Sequence, residues 1–316
     1  LLATGREGRG VNPAGSIVFF TTASGAGYGL LFWLGLLRPL GLVPGQGLVA
    51  LALALLLITA GLLSSTLHLG NPQRAWRAVS QWRSSWLSRE GVAAILTYIP
   101  ALLLGLALWV DAPALALAAG LLAAAGAVAT VYCTAMIYAS LKPIRQWHHP
   151  LVVPGYLALS AFSGAVLLAM LAAFAGGGAV PALLAILTGA GALLLKRAYW
   201  QAIDTAPPIA TIESATTLGF IGKTRPLEPP HTEQNYLLRE MGFRIARKHA
   251  AKLRLIAQGA GFALPVLLAL LALLLGGMPA ALALSLGAVL ALGGLLIERW
   301  LMFAEATHTV MLYYRG

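Results

Sequence analysis

The chain has 316 residues, 59% of them hydrophobic and only 10% charged, with a mean hydropathy of +0.83. That apolar share exceeds the roughly 45–50% of ordinary soluble domains and excludes a water-soluble fold. A single cysteine, Cys133, excludes a disulfide framework and the Cys clusters of iron–sulfur or structural zinc sites, so a partner must hold any metal that supplies electrons. The net charge of +11 is not read as a nucleic-acid signal, because basic residues in membrane-protein loops record orientation and contact with anionic lipid.

Apolar runs bounded by charges, Pro and Gly place eight spans at about 13–37, 46–68, 91–110, 114–141, 151–175, 179–201, 253–276 and 279–303. Each comes near the ~20 residues a helix needs to cross the hydrocarbon layer. Runs such as Leu48 to Leu63 are apolar on every face, which a transmembrane strand is not. The expected fold is an all-α polytopic bundle of eight transmembrane helices, one integral membrane domain over 1–316 with an interfacial helix or loop at 69–90 and a long loop at 202–252. The polar, glycine-rich Leu1 to Gly10 does not read as a cleaved signal peptide. Very short connections at Arg38 to Gly45, Asp111 to Pro113, the glycines before Val180, and Gly276 to Pro279 define one face. All Lys and Arg except Arg38 fall on the other, which the positive-inside rule makes cytoplasmic together with both termini. A partner that docks there and selects basic residues would leave the same asymmetry.

In the first span, Gly25-Ala26-Gly27-Tyr28-Gly29 follows no strand, so it reads as close helix packing and not as a phosphate cradle. Ser24 and Ser163 lack a histidine at matching depth and read as packing hydroxyls. The second span ends in Ser64-Ser65-Thr66-Leu67-His68-Leu69-Gly70-Asn71-Pro72-Gln73-Arg74-Ala75-Trp76-Arg77. Gly70 can stop that helix, while Asn71 can cap and Pro72 open a short second one. Along it Trp76, Val79, Trp82 and Trp86 recur at spacings of three and four, which predicts an aromatic face lying flat in the interface. Arg74 and Arg77 share a neighbouring face, and the helix N-terminus adds partial positive charge near His68. A quinone needs an apolar slot, a donor to its carbonyl oxygen and a group that exchanges protons near neutral pH, and His68 sits where all three meet. A helix cap or a contact to lipid phosphate would account for His68 equally well. Gly70, Arg74, Trp76 and Arg77 complete the candidate pocket.

Other ionisable groups near this face are Asp204, Glu213, Glu298, Arg299, Glu305 and His308. Glu298 and Glu305, seven apart, share a helix face, and the cost of charge in lipid turns them toward the bundle. Pairing with loop arginines is their expected role, ahead of a proton relay. His148, His149, His231 and His249 fall in loops, leaving His68 and His308 as a marginal pair, so neither haem nor a metal site is expected. The run from Asn235 to Arg254 reads as a basic amphipathic helix on the membrane or under a partner. A secondary transporter is disfavoured, since the two halves differ in loop length and intramembrane charges are scarce.

The stretch Leu67 to Ala75, the opening Val18-Phe19-Phe20-Thr21-Thr22-Ala23-Ser24-Gly25 and the tail Glu298 to His308 resemble the membrane anchor subunit of DMSO reductase-type molybdoenzymes, and the resemblance covers nearly the whole chain. It implies a molybdopterin catalytic subunit, an iron–sulfur subunit, and a haem-free anchor in a bacterial cytoplasmic membrane that exchanges electrons with ubiquinone or menaquinone. It also implies that His68 is the quinone-site histidine and Arg74 its arginine. In DMSO reductases the docking face lies outside the cytoplasm and quinol is oxidised, whereas the charge asymmetry here puts that face inside. Gln81 to Glu90 and Ile144 to His148 resemble the cytoplasmic sulfite dehydrogenases, which implies electron flow from sulfite to quinone. Reduction of DMSO or another S- or N-oxide is the alternative, and a passive anchor whose partner binds the quinone is a third reading.

Overall fold

The computed structural model describes residues 15–43, 45, 47–66, 76–207, 210–225, 227–228 and 244–314. Among them there is no strand, and eight helices are long and apolar enough to cross a membrane. In chain order these are α1 (Gly15–Leu37), α2 (Gly47–Thr66), α4 (Trp86–Trp109), α5 (Pro113–Ala139), α6 (Val152–Phe174), α7 (Ala179–Thr205), a seventh span made of two helices, and α11 (Gly277–Ala304). Two short helices lie between them, α3 (Arg77–Ser80) and α8 (Ile212–Thr216).

Two boundaries differ from the sequence expectation, and each difference has a local cause. The aromatic residues expected on one interfacial helix are divided, because α3 stops at Ser80 and a turn follows through Gln81 to Ser84. Ser85 then adopts extended backbone and its hydroxyl accepts from the Ser88 amide, capping α4 five residues earlier than hydropathy alone suggests. Trp86 to Glu90 therefore open a membrane helix and do not end the interfacial segment. Of the basic run from Asn235 to Arg254, residues 235–243 lie outside the described residues, and Arg244 to Arg254 form no separate surface helix. α9 (Arg244–Gln258) continues through one π-helical turn at Gly259–Ala263 into α10 (Leu264–Leu275), so its charges extend a transmembrane helix toward the loop-rich face.

The centre of the bundle is α1, the most deeply buried span, with α6 next. α1 packs on α2, α5, α6 and α11, while α4 pairs with α5, α6 with α7, and α10 with α11. Lipid is as apolar as leucine, so backbone approach and dispersion must supply the adhesion that water exclusion gives in soluble folds. At Gly29 a Cβ would run into the Ser160 carbonyl and Gly164 of α6, and Gly35 meets Gly120 of α5 in the same way. Gly27, Gly29 and Gly35 of the first span are thus contact points, whereas Gly25 has nothing within 4 Å of an added carbon and plays no such part. Trp33 anchors the same seam by donating to the Ala161 carbonyl at 2.8 Å.

On the loop-rich face, the segment from Lys142 to Pro150 is tucked into the end of the bundle. Trp147 donates to the Met302 carbonyl at 2.9 Å and Tyr199 to the Gln146 carbonyl at 2.8 Å. The C-terminal chain closes over it through Thr309 N–H to the Pro143 carbonyl at 3.0 Å. Tyr138, Trp147, Tyr156 and Phe303 pack ring to ring beneath. Because the α1–α6 seam has no room for a side chain, Gly29→Leu is expected to lose more than about 2 kcal/mol of stability, read as the unfolding midpoint in detergent. Gly155→Ala, where nothing lies within 4 Å of the added carbon, is expected to be silent.

Candidate functional site

Three of the sequence candidates, His68, Gly70 and Arg74, lie outside the described residues. The chain leaves α2 at Thr66 and returns at Trp76, and both Trp76 and Arg77 are exposed there. Arg77 stacks its guanidinium 5.4 Å from the Trp76 ring. The pattern repeats with Arg83 over Trp82 at 5.5 Å and Arg89 over Trp86 at 4.2 Å. Arg89 also donates to the Trp82 and Arg83 carbonyls at 2.9 and 2.8 Å, which pins the turn after α3 against the start of α4.

One residue after Arg89, in the second turn of α4, stands Glu90, which is buried. Its carboxylate accepts a hydrogen bond from the Thr134 hydroxyl of α5, and among the described residues no Lys or Arg pairs with it. Tyr28 from α1, Cys133 and Tyr138 from α5, and Tyr156 from α6 lie within its electrostatic reach. A carboxyl group without a cation inside a membrane bundle is costly to keep and marks a functional position. Sequence reading passed over Glu90 because it seemed to end a loop. The Ser85 cap, followed by an apolar run, is the signal that places it inside a span.

A second buried cluster lies across the bundle. Glu298 of α11 is fully buried between Lys196 of α7 and its own neighbour Arg299, whose Nε is 2.6 Å from the carboxylate. Arg299 sits over the Tyr156 ring at 4.2 Å, and Lys196 over the Tyr199 ring at 4.2 Å. The expected pairing of Glu298 with a loop arginine is therefore corrected. Its partners come from the spans, because a fully buried carboxylate needs charges that reach it without crossing lipid. The same correction holds for Glu305, whose partner is Arg254 of α9, inside the seventh span, at 2.8 Å; Arg254 also grips Asp204 of α7 through bonds of 2.6 and 3.0 Å. Burial pushes the Glu305 carboxyl above the ordinary range, against the opposing pull of Arg254.

The remaining candidates serve the loop-rich face. His308 pairs in a single bridge with Ile144, and Glu213 is capped by the Thr224 amide at 3.2 Å. His149 packs edge-on to Tyr199 with ring centroids 5.7 Å apart, and burial together with the Arg145 cation pulls its imidazole below the ordinary value. His249 stands in α9, exposed, and not in a loop.

Among the described residues, the buried carboxylates and their cation partners thus lie toward one basic, loop-rich end of the eight-span bundle. The DMSO reductase anchor subunit family (DmsC) matches residues 8–220. The chain belongs to that family. It is a membrane anchor subunit of a molybdoenzyme-type complex, in which catalytic and iron–sulfur subunits are the partners. It is also 34% identical to a sulfite dehydrogenase subunit of Allochromatium vinosum, over 97% of this chain and 99% of that protein.

The anchor's buried cluster holds two cations and one carboxylate, which makes its members unequal. Glu298→Gln would leave Lys196 and Arg299 together without an anion, and a loss of about 3–5 kcal/mol is expected. Lys196→Met leaves a neutral Glu298–Arg299 pair and is expected to cost less than half as much. Unfolding midpoints of the two variants in one detergent compare them, and equal losses would contradict this charge count.

Proposed function

We propose that this anchor is the quinone-reactive subunit of its complex, and that it passes electrons from sulfite oxidation on a molybdopterin partner, through an iron–sulfur partner, into the quinone pool. The observation that carries this reading is Glu90, an uncompensated carboxyl group buried on the face where the chain leaves α2 and returns at Trp76. The likeness to a sulfite dehydrogenase subunit supports the substrate. The concentration of Lys and Arg on one face supports docking of both partners there, on the cytoplasmic side of a bacterial inner membrane, with both termini inside.

Oxidation of sulfite to sulfate with water releases two electrons and two protons, and a quinone takes up two of each to become quinol. In this reading His68 donates to a quinone carbonyl oxygen, and Arg74 stabilises the negative charge that develops on it. Glu90 supplies a proton from below the ring. Gly70 lets the backbone approach, while Trp76 and Arg77 form the rim. The cavity beneath Glu90 and Thr134 admits water and no ring, so the head group is assigned to its loop side. Proton uptake on the same face as the partners implies little net charge movement across the membrane.

A second reading follows from the name of the matching family: quinol oxidation coupled to reduction of DMSO or another S- or N-oxide. The purified complex separates the two. Sulfite-dependent quinone reduction is expected in the wild type and is expected to fall at least about 100-fold in both His68→Ala and Glu90→Gln. Sulfite-to-dye electron transfer should persist in both variants. Quinol-driven reduction of an S-oxide without sulfite activity would favour the second reading, and a wild-type rate in either variant would remove that residue from the site.

A further inference from the structure

Between Glu90 and the Lys196–Glu298–Arg299 cluster lies a cavity, wide enough for water, that no step described so far uses. Tyr28, Thr134, Tyr156, Ser160, Ser163 and Arg299 are on its wall. Hydroxyl groups so dense inside a membrane bundle are unusual, since lipid offers no partner for a polar group left over. Most of them are satisfied within helices, as Ser163 is by the Leu159 carbonyl at 2.8 Å. Two are not. The hydroxyls of Tyr28 and Tyr156, on residues 2% and 5% exposed, make no hydrogen bond of good geometry among the described residues, although Thr130 stands beside the first and Arg299 beside the second. Both residues line this one cavity, so a water there would satisfy both.

A second small cavity, between α6, α7 and α11, shares Tyr156 and Arg299 with the first and reaches Lys196 and Tyr199. Tyr199 in turn touches the loop-rich face through Gln146 and His149. The two cavities thus form a broken line of polar groups from that face to Thr134, which bonds Glu90, with the Tyr156–Arg299 pair standing between them. Thr134 from α5, Tyr28 from α1, and Tyr138, Cys133 and Tyr156 are the other groups facing Glu90, and none carries a fixed charge.

We propose that these cavities hold water and form the route by which protons from the loop-rich face reach Glu90, passing Lys196, Tyr199 and the Tyr156–Arg299 pair. This rests on the quinone reading of Glu90. For each quinone reduced, Glu90 gives up one proton and receives one from the aqueous face along the water chain. No electron travels with it, and no group on the route changes covalently. Tyr156 and Tyr28 are positioning residues that hold the water in line.

The double variant Tyr28→Phe/Tyr156→Phe tests the route, because it keeps the rings and removes only the two hydroxyls. In the purified complex, sulfite-dependent quinone turnover is expected to fall about tenfold or more. The affinity for a quinone-site inhibitor should be unchanged, the solvent deuterium isotope effect should rise, and added acetate should restore part of the rate by carrying protons through bulk. A merely structural defect would move none of the last three in this direction. Should the double variant not assemble, either single variant gives the same comparison. Unchanged turnover and isotope effect, with Glu90→Gln still slow, would overturn the route and leave the quinone reading standing. Wild-type turnover in Glu90→Gln would remove Glu90 from the site and the route with it.

Discussion

Glu298 holds two cations in a place where none of the three could stand alone. Removing an ion from water into the bilayer costs several kcal/mol, so Lys196 on α7 and Arg299 on α11 can be buried only because one carboxylate serves both. The aromatic faces of Tyr156 on α6 and Tyr199 on α7 complete their solvation. Three helices of the second half of the chain are thereby fixed around one group, and α6 in turn is the helix against which α1 makes its closest backbone approach. The first half, with Glu90 on α4, is registered against this frame through α1 and α5. Charge placement, more than apolar contact, sets which helices are neighbours at the loop-rich end.

The two ends of the bundle are built for different tasks. The short-loop end turns tightly, as where Gly276 and Gly277 take up left-handed backbone to join α10 to α11. The loop-rich end carries the basic extensions of α9, the Arg–Trp stacks around α3, and the tucked segment before α6. Among the described residues, the buried charged side chains, Glu90, Lys196, Glu298 and Arg299, lie at the same end.

The number of spans and most of their limits were legible because a run apolar on all faces has one physical outcome in a chain this hydrophobic. The close-packing role of Gly27 and Gly29 in α1 was legible for the same reason. What was not legible depended on small local choices. The start of α4 turned on a single serine cap at Ser85, and with it turned the burial of Glu90. The partner of Glu298 could not be read from spacing, since Lys196 lies about a hundred residues away and reaches it only through the packing of α7 on the rest of the bundle. The basic run before the seventh span carried an amphipathic pattern that a surface helix and a helix extension share, and only continuity of the backbone distinguishes them.

In the proposed reading the quinone head group lies above Glu90, between the segment after α2 and the start of α4. Photo-crosslinking of the purified complex with an azido-substituted quinone, followed by identification of the labelled peptides, tests it most directly. Attachment is expected within the stretch from Thr66 to Gly91 and on the facing turn of α5 around Thr134. Attachment at the short-loop end of this chain, or on the iron–sulfur partner alone, would contradict it.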